Sequence, residues 1–229
     1  MKNIIITLLL LLQILPAFTR DLSFEIAGKY KRSVKKGTLE DSKLIRDIIP
    51  GYATNWIKEY VSVEMLAINN GTTKKVYGKD EKLTAEQKNL LNSADLFSHI
   101  VINVKYMDEN AATGKIDLRE MNVTLTIVPD FEAEFTGGKE KMKKYLKENA
   151  IDRIDDLTSE YILDCIISFT VNEAGEIINV QLMKSTEDPK TDSLLLDAIN
   201  KMPKWKPALN SKGVKVKQDF EFKVGNGGC

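Results

Sequence analysis

Val214-Lys215-Val216-Lys217-Gln218-Asp219-Phe220-Glu221-Phe222-Lys223-Val224 places Val214, Val216, Gln218, Phe220, Phe222 and Val224 in one phase and mostly charges in the other. A period of two predicts a β-strand with one buried face and one charged face. Just before it, Met202-Pro203-Lys204-Trp205-Lys206-Pro207 closes a helix whose stripe is Leu195, Ala198, Ile199 and Met202, with Thr191 or Asp192 as the expected N-cap. A large aromatic between two prolines is expected to plug the core where the chain enters it. Further upstream, Tyr161 to Val171 and Glu176 to Met183 alternate on either side of Asn172-Glu173-Ala174-Gly175, a predicted hairpin. Before that hairpin, Lys139 to Ala150 puts Met142, Tyr145 and Leu146 on one helical stripe and leaves a lysine run in water. The order is helix, strand, hairpin, strand, helix, strand, which predicts an α+β unit.

The chain before Phe131 reads differently. Leu39 to Ile49 suits a short helix stopped at Pro50-Gly51. Thr84 with Gln87 three residues on is a capping box, predicting a helix over 84–94. Tyr60 to Asn69, Ile100 to Tyr106 and Asn122 to Val128 alternate as strands, and Asp21 to Tyr30 is short and only partly alternating. Short helices therefore decorate a β framework. The junction is expected near 130–138, giving domains at about 21–130 and 131–229.

Composition removes several functions. Thirty-three basic residues balance 33 acidic ones, so there is no overall field to hold nucleic acid. One His and two distant Cys provide no His/Cys metal cluster and argue against a Ser-His-Asp triad. His99, at the start of a strand, reads as a surface histidine. No catalytic residue, metal ligand or cofactor site emerges, and the chain is expected not to be an enzyme. Residues 1–20 have the form of a signal peptide: Lys2, an apolar run from Ile4 to Leu15 too short to span a bilayer, then Pro16-Ala17-Phe18-Thr19-Arg20. An uncleaved membrane anchor is the other reading. In an oxidising compartment Cys165 and Cys229 could pair. The phase of Cys165 with Leu163, Ile167 and Phe169 instead turns it to the core. Cys229 is then left free and able to join two copies in a homodimer.

Two resemblances sharpen these expectations. Phe135-Thr136-Gly137-Gly138 before one helix, Met202-Pro-Lys-Trp-Lys-Pro207 after the next and Gly213 at the last strand resemble the C-terminal domain of TonB energy transducers over about 132–224. Thr136 stands where the family usually has Pro. The resemblance implies a βαβ-type fold with a small three-stranded antiparallel sheet and two helices. It also implies a non-enzymatic, cofactor-free role in transmembrane transport, in which a periplasmic peptide segment of an outer-membrane transporter docks beside the last strand. Gly137, Gly138, Pro203, Trp205 and Pro207 would be the structural motif. Leu83-Thr84-Ala85-Glu86-Gln87-Lys88, His99 to Lys105 and Gly114-Lys115-Ile116 resemble the C-terminal periplasmic domain of the gliding-motility protein GldM over about 36–129. That resemblance implies an Ig-like β domain contacting envelope proteins.

A terminal strand is often a sheet border, and an unpaired border can take an incoming strand. Val214, Lys215, Val216, Lys217, Gln218, Phe220 and Phe222 are therefore the expected partner-binding residues. Seven lysines between 201 and 223 face only Asp219 and Glu221, which favours an acidic partner segment. The same lysines could simply guard a border against aggregation. The long Pro-rich spacer usual in TonB transducers is missing, which disfavours self-contained force transmission. The expected protein is a periplasmic binding module that captures an extended segment of an envelope protein. The alternative is a structural component of a gliding-motility or type IX secretion assembly.

Overall fold

A computed structural model describes residues 22–49, 51–52, 56–69, 71–155 and 165–225. The expected signal peptide and Cys229 lie outside the described residues. The fold is mixed α+β, with two hydrophobic cores.

The first core sits under a five-stranded sheet of β2 (Ser33–Lys35), β3 (Ile57–Asn69), β4 (Thr72–Gly78), β5 (His99–Glu109) and β6 (Ile116–Val128), in the order β2-β6-β5-β3-β4. All pairs are antiparallel except β2 with β6. Val63, Met65, Ile100, Ile102, Val104 and Leu125 point to one face and are buried. Three helices close that face: α1 (Lys36–Asp41), α2 (Ile45–Ile48) and α3 (Ala85–Ser93). Leu39, Ile45, Ile48 and Leu91 are their core contacts. The expected single helix over 39–49 is two short ones, because Ser42 leaves helical backbone and Leu44 bridges to Lys82 instead. The Thr84–Gln87 capping box is present, with both reciprocal hydrogen bonds. Lys36 Nζ donates to the carbonyls of Leu91, Asn92 and Ala94 at 2.8–3.0 Å, closing the C-terminal end of α3. A single sheet backed by helices differs from the two facing sheets that an Ig-like domain would have. The alternation that defines one buried sheet face is the same whether a second sheet or helices cover it.

The second core lies between a four-stranded antiparallel sheet and two helices. The sheet contains β1 (Ser23–Gly28), β8 (Cys165–Val171), β9 (Ile177–Lys184) and β13 (Gln218–Gly225), in the order β1-β13-β8-β9. The helices are α4 (Gly138–Asn149) and α5 (Pro189–Asn200). Tyr145 on α4 donates to the carbonyl of Ala198 on α5 at 3.0 Å, which ties the helices together. Two-residue pairs join β7 (Glu134–Phe135) to β10 (Trp205–Lys206), and β11 (Ala208–Leu209) to β12 (Lys215–Val216). Helix α5 is capped by Asp188, with Pro189 next, and not by Thr191 or Asp192. The Asp188 carboxylate accepts from the Thr191 N–H and hydroxyl, which holds its pKa below the usual carboxylate range. Asp192 is buried in the same turn and accepts from Ser185 and Thr186.

Cys165 has no solvent exposure and is a free thiol. Burial, with Asp192 adding to it, raises its pKa to about 11. A thiol-directed maleimide at neutral pH should leave Cys165 unlabelled in the native chain and label it on denaturation. Mass spectrometry of the labelled peptide checks this.

Candidate functional site: the border of the second sheet

The expected binding residues do not form one exposed edge. Val214 is exposed and precedes β12. Lys215 and Val216 pair with Leu209 and Ala208, so the predicted long strand is broken at Lys217. Gln218 is buried, and its Oε1 accepts from the Ala133 N–H at 2.7 Å. Phe220 and Phe222 are core residues. Gln218→Pro would break this internal bond and the ladder to β8, so it would destabilise the second unit.

The larger correction concerns β13 itself. One side pairs with β8, and the other pairs with β1 from Ser23↔Gly225 to Gly28↔Phe220. The last strand is therefore internal, and the sheet has four strands where three were expected. Phe24 and Ile26 pack on the second core, so β1 belongs to the second unit although it precedes the first. The Tyr30 hydroxyl donates to Asp219 at 3.3 Å just beyond this ladder. Burial first, then the Asp219 charge, raises the Tyr30 pKa to about 12.

Of the structural motif residues, only Trp205 is buried. Gly137 and Gly138 have φ of +99° and +82°, a left-handed turn that launches α4. Pro203 and Pro207 flank Trp205, which is 5% exposed and meets Phe135 and Phe169 edge-on. His99 is exposed at the first position of β5, where its Nδ1 lies 3.0 Å from the Thr126 hydroxyl. Among the described residues, no three His, Cys, Asp or Glu side chains are grouped to hold a metal ion. No helix among them is long and apolar enough to cross a membrane.

Among the described residues, the sheet's borders are β1 and β9. Register shifts and a left-handed Asn179 (φ +54°) distort β9, which guards it against pairing. The β1 border is regular. The Lys29 N–H bonds to the Asp219 carbonyl, so Ala27 and Glu25 also face β13 by alternation. The N–H and C=O of Phe24, Ile26 and Gly28 then point away from the sheet, with no backbone partner among the described residues.

Two recesses lie along that border. One, about 220 Å³, runs between Ser23–Ile26 and the α4 residues Lys139, Met142, Lys143 and Leu146. The other, about 190 Å³, continues past Gly28 and is floored by Phe135, Trp205 and Phe220. The Trp205 Nε1–H is buried and has no acceptor among the described residues. Phe24 and Ile26 had alternation as their sequence signal, but nothing local tied them to β13. Lys139 and Met142 carried only a helical period. No protein family, curated protein or solved structure matches this chain.

Proposed function

We propose that this chain is an exported, non-enzymatic binding module of the periplasm that captures an extended segment of an envelope protein by β-strand addition. The observation that carries the proposal is the regular β1 border, whose outward backbone groups have no partner among the described residues. The order of helix, hairpin, helix and strand, together with the Gly137-Gly138 turn and the buried Trp205, supports a TonB C-terminal-like architecture for the second unit. In this chain the place beside the last strand is filled by β1, so capture moves one strand outward. A transporter's periplasmic segment is a partner of fitting chemistry, and no cofactor enters the mechanism. Each added hydrogen bond contributes only about 0.5–1.5 kcal/mol net, so capture is reversible.

One observation favours the second reading, a structural part of a gliding-motility or secretion assembly. β2 covers β6 only from Thr126 to Val128, while Ile116 and Leu118 are exposed on the same strand. Photo-crosslinking residues placed singly at Ala27 and at Leu118 of the full chain, in its native envelope, distinguish the two. Adducts from position 27 with one extended segment are expected. Adducts confined to position 118 would favour the structural reading and contradict capture at β1.

A further inference from the structure

The geometry points to the trough between β1 and α4 as a peptide groove selective for an acidic extended segment, with Lys139 and Lys143 as its selecting residues. This rests on the strand-addition reading and adds the place, the partner chemistry and the selecting residues.

Four observations converge. The backbone groups of Phe24, Ile26 and Gly28 face the trough and lack backbone partners among the described residues. An incoming strand at the usual spacing would satisfy them. Phe24 and Ile26 turn toward the core yet stay only half-buried, because the layer ends at β1. A neighbouring strand would cover them.

The trough is also continuous, because Ile26, Lys139 and Met142 line both recesses. The second recess holds about 190 Å³ among Phe135, Met142, Trp205 and Phe220, which suits one mid-sized apolar side chain.

Charge chooses the partner. Lys139 and Lys143 stand on the α4 wall with exposed ammonium groups and no carboxylate partner among the described residues. Of the acidic residues nearby, Glu134 is paired with Lys206 at 2.9 Å. Glu25 lies opposite Lys223 in the ladder, and Glu132 is exposed at the far end. Lys139 borders both recesses and Lys143 the one beside Ser23–Ile26, so an acidic segment gains from them at that end in a salt-dependent way.

The test uses the full chain and three fluorescein-labelled peptides: Glu-Thr-Val-Thr-Val-Thr-Glu, its counterpart with Lys at both ends, and a version with Pro at the central Thr. Fluorescence anisotropy at low salt should give saturable binding of the acidic peptide, at least about tenfold tighter than either other peptide. In nitrogen-15 spectra the Trp205 indole N–H and the Ile26 and Gly28 amides should move together. The paired exposed changes Lys139→Glu and Lys143→Glu should abolish the preference for the acidic peptide while the melting temperature holds. Saturable binding that moves β6 or β9 resonances instead would overturn the groove and leave strand addition standing. No saturable binding of any peptide would overturn both. A cross-link from Ala27 to this chain's own residues 1–21 or 156–164 would also overturn the proposal, since the groove would then be internally filled.

Discussion

A chain that starts at Lys29 should have its second unit destabilised by about 2–4 kcal/mol, melting roughly 5–15 °C lower than the full chain. The loss comes from Phe24 and Ile26, which leave the core, and from a six-residue ladder that no longer covers β13. Phe220, Phe222 and Val224, now 0–4% exposed, would lie along a bare edge. The shortened chain should therefore also self-associate as its concentration rises, because an uncovered regular strand is a template for another. Calorimetry and sedimentation of the two chains check both parts. An unchanged melting temperature would mean that β1 contributes nothing to the fold.

Trp205→Ala should cost the second unit about 3–5 kcal/mol, the largest single-residue effect expected here. Trp205 meets Phe135, Phe169 and Phe220 with ring centroids 5.1–6.0 Å apart. Its backbone also matters: the Trp205 N–H bonds to the Gly175 carbonyl at 2.8 Å, stitching the hairpin to the segment after α5. Gly175 sits at φ +78°, and a Cβ there would fall 1.9 Å from the Trp205 carbonyl oxygen. Gly175→Ala should accordingly be destabilising as well, through backbone that cannot yield. Chemical denaturation followed by far-ultraviolet circular dichroism measures both variants. A loss below about 1 kcal/mol for Trp205→Ala would show that the aromatic cluster does not organise this core.

Much of this was written locally in the chain. The stripe Leu195, Ala198, Ile199, the hairpin at Asn172–Gly175 and the buried Trp205 follow from period, turn chemistry and side-chain size. Asp188-Pro189 was also a readable N-cap followed by Pro at N1, and Thr191 and Asp192 competed with it only because both are good capping types. What could not be read was the pairing of Phe24 and Ile26 with Val224 and Phe222, because register across nearly the whole chain leaves no local signature. That single pairing moved the sheet's border, turned the expected binding strand into an internal one, and created the trough beside α4. The break at Lys217 was hidden for a similar reason, since alternation continues through it while the partner strand changes.

The decisive measurement is amide hydrogen exchange along β13 in the full chain. The amides of Phe220 and Phe222 face β8, and those of Glu221 and Lys223 face β1. All four should be strongly protected in the full chain, and only Glu221 and Lys223 should lose protection when the chain starts at Lys29. Fast exchange of Glu221 and Lys223 in the full chain would contradict the covering of β13 by β1, and with it the outward displacement of the binding border.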